Sequence, residues 1–404
     1  MDVAVTERIK AGMAFEAQRR GPPEGFPRFP DIAAGRYVDP TFLALERERM
    51  WRRAWLYAAH EDQIPNVGDW VLWKTAGSPI LIVRGRDQVV RAFYNTCQHR
   101  GAPLVQADRG EARGFVCPYH GWAYALDGKL LNMRDRRDFV DLDLTCRSLV
   151  QLPCQTFGRW IFVNEDPEAQ PLIDYLGPVA DELHQFQPDD LVLVDSRGYD
   201  VDSNVKVLLD AFLEVYHLES IHQETVNRFL DHRGTAITLW PNGHSRMVTP
   251  NRRPDWVDPG AVGMPDIPTV SEIPRFHNVS YHIYPNIVMP AAATGMPMLT
   301  FWPRSDTTMR IECHWFSPPF GEAGRNPLWD KRISNFERIL YEDTQFAPSI
   351  QASMESPGFR SIPLNYQERR IYHWHEELDR RIGQNQVPAD LRVTPMLQPF
   401  VEPA

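Results

Sequence analysis

Two short segments of the 404-residue chain each set a cysteine beside a histidine: Cys97-Gln-His99 and Cys117-Pro-Tyr-His120. The C-x-H and C-x2-H pairs are separated by the 17 residues 100–116. The short spacing within each pair lets one tight turn aim both side chains at a common point. Gly101, Pro103, Pro118 and Gly121 supply the turn chemistry. Two such loops can clamp a dinuclear iron–sulfur cluster, with two thiolates on one iron and two neutral imidazoles on the other. Exchanging cysteine for histidine raises the reduction potential above that of a four-cysteine site, and backbone N–H groups of the loops can bond to the sulfurs. The competing chemistry is structural zinc. Zinc fingers, however, pair cysteine with cysteine and histidine with histidine, whereas each loop here mixes them.

A second set lies in Asn204-Val-Lys-Val-Leu-Leu-Asp-Ala-Phe-Leu-Glu-Val-Tyr-His-Leu-Glu-Ser-Ile-His222. On a continuous helix Asp210, Glu214 and His217, at i, i+4 and i+7, share one face. Val207, Leu208, Phe212 and Leu218 make up the apolar complement. His217 and His222 are out of register on an unbroken α-helix; to hold one metal, the helix must widen or end between them. Two histidines and a carboxylate form a facial triad that leaves positions open for dioxygen on Fe(II). H-x4-H alone is a weak signal. Behind a cluster motif it becomes a strong one.

These groups need elements to hold them. Asp39-Pro40 opens a helix expected over 38–56. From 58 to 165 short β segments alternate with Gly, Pro and Asp. Helical periodicity returns at 173–186, a strand at 191–201, and one long amphipathic helical region at 203–230. Residues 240–275 read as a long loop beside the site, lining or covering its entrance. Strands follow at 277–289 and 298–316, then helix over 330–382 with breaks near Pro348 and Ser356–Pro363. The expected fold is α+β: a helical segment 1–46 packed on the catalytic domain, an all-β domain at 47–165, and a catalytic domain at 166–404 with helices on an antiparallel sheet.

The formal charge is −10, with 43 Lys and Arg spread along the chain, which argues against nucleic acid or membrane as partner. No apolar run reaches the length of a spanning helix and the N-terminus lacks a signal-peptide core, so a cytoplasmic protein with reduced cysteines is expected. Cys146, Cys154 and Cys313 have no partner spacing. His373 and His375 fall in a helical segment, where i and i+2 diverge, and are assigned structural roles.

Both loops, with the flanking Arg91-Ala-Phe-Tyr-Asn-Thr-Cys-Gln-His-Arg-Gly and Cys117-Pro-Tyr-His-Gly-Trp-Ala-Tyr, resemble the Rieske [2Fe–2S] domain of aromatic-ring-hydroxylating oxygenases. The resemblance implies Cys97 and Cys117 on one iron, and His99 and His120 on the other. The 204–222 segment resembles the family's N-x-K…D/E-x2-H-x4-H iron motif, with His217 and His222 as ligands of mononuclear Fe(II). Tyr341-Glu-Asp-Thr-Gln345 matches the third-ligand motif, giving Asp343 with Glu342 as an open alternative. The family's carboxylate three residues before the first histidine, here Glu214, links His217 to His120 of an adjacent subunit and carries electrons between them. Asp210 is a supporting acid one turn earlier. A head-to-tail homotrimer follows, with or without a small β subunit. The resemblance also implies electrons from NAD(P)H through a separate reductase, directly or by way of a ferredoxin, and insertion of one or both atoms of O2 into a small organic substrate. Family pockets are lined from the iron helix and later strands, which points to Leu213, Phe229, Tyr284, Met289, Met298 and Phe301. This apolar set implies mono- or cis-dihydroxylation of a hydrophobic, aromatic or cyclic substrate. The alternative is oxidative demethylation or C–N cleavage of a quaternary-ammonium substrate, because glutamate at the bridging position resembles the carnitine and betaine oxygenases. An electron-transfer Rieske protein without oxygenase activity is the reading from another class.

Overall fold

A computed structural model describes residues 1–75, 77–253, 256 and 258–403. The chain divides into two compact units, 52–174 and 1–51 with 175–404. The divides fall later than 46/47 and 165/166 for local reasons. Trp51 packs on Trp302, with ring centroids 6.2 Å apart, in the larger unit. Leu172 N donates to Gln155 Oε1 (2.7 Å) in the smaller one.

The smaller unit is all β. A five-stranded antiparallel sheet has Val90–Tyr94, Ile80–Arg84 and Asp69–Trp73 at its centre, and two three-stranded sheets complete the unit. Ile80 to Val83 are all fully buried, so this central strand reads as a continuous apolar run without alternation. The helix expected over 38–56 ends at Arg49, and Leu56–His60 is already a strand. Asp39 caps that helix through Thr41 and Phe42 N–H, with Pro40 in its first turn.

The larger unit is built on one seven-stranded antiparallel sheet: β1 (Val192–Val201), β2 (Ala236–Leu239), β3 (Ser245–Pro250), β4 (His277–Ile283), β5 (Ile287–Ala291), β6 (Met296–Pro303) and β7 (Met309–Ser317), in spatial order β1-β7-β6-β5-β4-β3-β2. The stretch 240–275 is therefore not one loop. It contains β3, buried on both faces from Ser245 to Thr249 and so without alternation; within that stretch 254, 255 and 257 lie outside the described residues. The two expected strands 277–289 and 298–316 are four, folded back at Tyr284–Asn286 and at Ser305–Thr308. The same unit carries the helices α1 (Val205–Phe212), α2 (Leu218–Ile221), α3 (Leu328–Thr344), α4 (Ala347–Met354) and α5 (Arg369–Ile382). The breaks expected near Pro348 and at Ser356–Pro363 are present: α3 ends at Thr344 and α4 at Met354, with Pro348 in the first turn of α4, where a missing N–H costs nothing.

Paired residues on neighbouring strands share a face, and the register sorts the sheet. One face presents Ile237, Met247, Ser245, His282, Val288, Leu299 and Phe301; the other presents Arg246, Tyr281, Met289, Met298 and Thr300. The first face meets helices: Phe212 of α1 packs on Phe301 (5.1 Å) and Phe336 of α3 on Trp315 (5.9 Å). The second is closed by Glu182, whose carboxylate bonds Arg246 and Tyr281. Among the described residues no helix is long and apolar enough to cross a membrane.

Candidate functional site

The two Cys/His loops of the smaller unit repeat one construction. Gly101 N donates to Cys97 O (3.0 Å) and Gly121 N to Cys117 O (2.9 Å). Each cysteine N–H then reaches the carbonyl five residues on, Cys97 to Ala102 (2.9 Å) and Cys117 to Trp122 (2.7 Å). Both closing glycines have left-handed φ, 74° and 75°, which a side chain would strain. Within this frame His99 Nδ1 and His120 Nδ1 converge to 3.1 Å. Cys97 and Cys117 are both buried, and burial pushes the Cys97 thiol up despite the Tyr124 hydroxyl. His99 lies flat on Trp122 (4.9 Å, 7°). Burial first, then His120 and Arg100, hold its imidazole below the usual range. Two thiols and two convergent imidazole nitrogens fit the donor set of a [2Fe–2S] cluster with mixed ligation.

Two supporting residues escaped the reading of the sequence. The Tyr124 hydroxyl accepts from Gln98 N (3.0 Å) and lies 3.3 Å from Cys97 Sγ. Asn95 ties the first loop down, accepting from Leu104 N and Val105 N and donating to Val105 O. The tyrosine's place after the second motif was visible, but not its reach back to the first cysteine.

In the larger unit the expected helix over 203–230 does not form as one element. α1 stops at Phe212, before His217, and the four residues of α2 run between His217 and His222. Asp210, Glu214 and His217 therefore do not share a helical face. Glu214 ties down the chain between the two helices: its Oε2 accepts from the N–H groups of Tyr216 and His217, just ahead of α2, while Oε1 lies 2.5 Å from His217 Nδ1. His217 and His222 stand at the two ends of this single turn, where the helix begins and ends, and both turn their Nε2 atoms toward one point.

Asp343, near the end of α3, completes that point. Its Oδ1 lies 3.1 Å from His222 Nε2 and 3.5 Å from His217 Nε2. One ligand atom from each of the three falls within 4.8 Å of the others. Glu342 faces elsewhere, with Oε2 2.7 Å from His222 Nδ1 and 2.6 Å from Thr225 Oγ1. Each histidine thus has a carboxylate on Nδ1 and leaves Nε2 for a metal, the arrangement that fixes tautomer and ring direction in metal sites. The neighbouring carboxylates outweigh burial and hold both imidazoles above their usual pKa range, Glu214 for His217 and Asp343 for His222. The donor set fits Fe(II) with open coordination positions.

The remaining expected residues separate. Asp210 is not at the three-residue centre: its Oδ2 takes the Tyr37 hydroxyl at 2.5 Å, and burial pushes its carboxyl up to about 7. Leu213 is buried at the end of α1, and Phe229 stacks on Trp256 (4.1 Å, 6°) beside Val215, Leu218 and Met247. Phe301 meets α1, and Tyr284 packs on Trp374 of α5. Met289 and Met298 point the other way. Their register puts them on the opposite face, because each is one residue out of phase with Val288 or Leu299. His373 and His375 serve structure: His373 Nε2 meets Trp240 O (2.9 Å) and His375 Nδ1 accepts from Arg36 (3.1 Å).

Comparison with known proteins agrees with this layout. Residues 54–149 match the Rieske [2Fe–2S] domain, and residues 188–384 match the ring hydroxylating alpha subunit (catalytic domain). The chain is 34% identical over 194 residues to the carnitine monooxygenase oxygenase subunit of Escherichia coli (strain K12), covering 47% of this chain and 52% of that protein. It is 35% identical over 193 residues to the large oxygenase component of the 2,4-dinitrotoluene dioxygenase system of Burkholderia sp. (strain RASC), covering 46% and 43%. The matches span about half the length of these curated relatives. The fold superposes on a quaternary ammonium Rieske monooxygenase whose structure was described for carnitine oxidation and inter-subunit electron transfer, with TM-score 0.75 and 21% identity over 90% of this chain and 99% of that one. With a Rieske domain in one unit and the ring-hydroxylating catalytic domain in the other, the chain belongs to the ring-hydroxylating alpha-subunit family.

Proposed function

We propose that this chain is the oxygenase component of a Rieske oxygenase system, and that it hydroxylates a quaternary-ammonium substrate at a carbon beside nitrogen. The carrying observation is the convergence of His217 Nε2, His222 Nε2 and Asp343 Oδ1 within 4.8 Å, in a chain that also bears a one-electron store. Bound iron would supply O2 activation at its open positions. The protein's share is position and exclusion. Glu214 and Glu342 hold the two imidazoles, and the Phe301 and Leu299 side of the sheet keeps the site apolar. Overall, O2, two electrons and two protons give one hydroxyl on the substrate and one water. The hydroxylated carbon then loses its amine: C–N breaks with its electron pair going to nitrogen, the hydroxyl gives its proton to solvent, and C=O forms.

The two electrons come one at a time from a separate reductase. We place His120 of one subunit against Glu214 of the next in a head-to-tail trimer, a reading supported by the inter-subunit transfer described for the structural relative. We also assign the chain to the cytoplasm, where thiols such as those of Cys146, Cys154 and Cys313 stay reduced. The substrate reading departs from the aromatic or cyclic one that the apolar residues suggested. It is supported by the carnitine oxygenase relative, and by the removal of Met289 and Met298 from the site face. Ring hydroxylation keeps the support of the dinitrotoluene dioxygenase relative.

The test is a single turnover of the reduced, iron-replete protein with O2 and either carnitine or glycine betaine, assayed for released amine and aldehyde. Amine formation in step with cluster reoxidation is expected. A cis-diol from nitrotoluene or biphenyl, with no amine from either ammonium compound, transfers the reading to ring hydroxylation. Cluster reoxidation indifferent to every substrate overturns it.

A further inference from the structure

Arg370, on the first turn of α5, is 1% exposed and carries a guanidinium with no carboxylate partner among the described residues. Its Nε donates to Ser245 Oγ (2.9 Å) and its Nη1 to Met247 Sδ (3.6 Å); Nη2 is buried and bonds to nothing. A buried cation left this way is costly, since neutral acceptors do not repay its lost hydration. Other buried arginines of the same unit are neutralised: Arg36 by Asp379 (2.7 Å), Arg246 by Glu182, Arg369 by Glu16 (3.2 Å). Burial, with Arg369 alongside, pulls the Arg370 guanidinium down to about 9.

A second unsatisfied group stands next to it. Ser245, the acceptor for Arg370, is the direct cross-strand partner of His282, so the two side chains rise from the same face about 5 Å apart. His282 is 1% exposed and its Nε2 also has no partner. The ring is turned toward the Pro285 carbonyl, and burial, with Arg370 close by, holds it neutral. With one nitrogen donating to that carbonyl, Nε2 is an acceptor. An open donor on a cation and an open acceptor therefore sit side by side in the interior.

Their location gives the pair its meaning. Ser245, Met247 and His282 lie on the sheet face that carries Phe301 and meets α1. Met247, the residue Arg370 touches, packs in one cluster with Val215 and Leu218, which flank His217 in the chain. A single side chain thus separates the guanidinium from the neighbours of a metal-site histidine.

We infer that Arg370 is the anchor for a carboxylate on the substrate, with His282 Nε2 taking a hydroxyl or a water beside that carboxylate. The assignment rests on the oxygenase reading and narrows it: the substrate is an acid, and in the quaternary-ammonium case a zwitterion. The carboxylate end is fixed on the β3–β4 side of the site, and the end to be oxidised is left toward His217, His222 and Asp343.

Two probe pairs test this, each an acid and its carboxamide: 4-(trimethylammonio)butanoate with its amide, and benzoate with benzamide. Binding is read by thermal shift and fluorescence on the cluster-loaded, iron-replete full chain, and turnover is read separately. In wild type the preferred acid should bind roughly 10- to 100-fold more tightly than its amide, the worth of a charged hydrogen bond in the interior. In R370Q that preference should collapse through loss of acid binding, with amide binding within about threefold of wild type and the cluster spectrum intact. Equal wild-type affinity for acid and amide in both pairs overturns the anchor without any variant, so a poorly folding R370Q does not leave the question open. Equal loss of acid and amide in R370Q also overturns it. Acid-selective binding without turnover supports the anchor and counts against the oxygenase reading. Turnover without acid selectivity does the reverse.

Discussion

Glu342 Oε2 lies 2.7 Å from Nδ1 of His222, the ring nitrogen opposite the one that Asp343 approaches at 3.1 Å. Two consecutive acids thus divide the two sides of one imidazole between them. Successive residues on a helix point about 100° apart, so α3 can send one carboxylate to the metal point and the next to the back of a ligand. Removing the two should have different consequences. D343A should lower iron from about three to about two atoms per chain and leave the cluster's visible spectrum unchanged. E342Q should keep the third iron but weaken its binding about 10- to 100-fold. Iron titration of the apo-site with the cluster intact measures both. Equal loss in the two variants would remove the distinction.

Glu214 does two jobs with two oxygens. One caps the amides of Tyr216 and His217 where the chain re-enters helix, and the other holds His217 Nδ1. E214Q can still accept the amide hydrogen bonds but lacks the negative charge at Nδ1. It should fold normally, with activity or iron affinity down about 10- to 100-fold. E214A should lose the cap as well, at about 1 kcal/mol in unfolding free energy. Iron content, single-turnover rate and thermal midpoint of the two variants, measured together, separate the roles. If glutamine and alanine behave alike in stability, the capping role is wrong.

Tyr124 offers a test confined to the cluster. Its hydroxyl sits 3.3 Å from Cys97 Sγ and also receives Gln98 N–H. A hydrogen bond to a ligand sulfur stabilises the reduced cluster and raises its potential. Y124F should lower the midpoint on the order of tens of millivolts, the equivalent of roughly 1 kcal/mol for one electron. Spectroelectrochemical titration gives the number directly. An unchanged potential would mean that the hydroxyl serves the backbone of Gln98 alone.

What could be read in the sequence follows the strength of the chemical constraint. Cysteine and histidine at fixed offsets with glycine closing each turn leave few alternatives, so Cys97, His99, Cys117 and His120 stood out at once, and His217 and His222 became legible only behind them. The choice between Glu342 and Asp343 was open because spacing places both at the end of one helix; only the direction of each side chain decides. The unbroken helix expected over 203–230 failed at Glu214. There a side chain competes with the helix for backbone N–H groups, an outcome that propensity and periodicity do not register. Met289 and Met298 were drawn into the site by the family's habit of lining its pocket from the later strands, and strand register put them on the far face. A one-residue phase is invisible until the pairing partner is known. Arg370 and His282 gave no signal at all. A buried charge looks like any other arginine on a helix until its lack of a partner is seen.

His244 yields a prediction about pH that is independent of either metal. It is fully buried, donates from Nε2 to Tyr175 O (2.7 Å) and accepts at Nδ1 from Tyr284 N (3.0 Å). That pattern needs the neutral ring, since a protonated one has no acceptor. Burial accordingly holds its pKa down to about 3, against 6.5 for the free side chain. Below pH 6.5 the unfolded chain takes up a proton that the folded protein refuses. The stability this group provides is full above 6.5 and is lost progressively as pH falls toward 3. At pH 5 the loss is about 2 kcal/mol, from 1.5 pH units at about 1.36 kcal/mol each. H244Q removes the titration while retaining a donor and an acceptor. It should be less stable than wild type at pH 7, and the gap should narrow as pH falls to 5. Thermal midpoints of both proteins at pH 7, 6 and 5 provide the measurement. Because other buried histidines remain in both proteins, only the difference between the two curves reports on this one. A gap that stays constant across that range would show His244 binding the same number of protons folded and unfolded, and its enforced neutrality would be refuted.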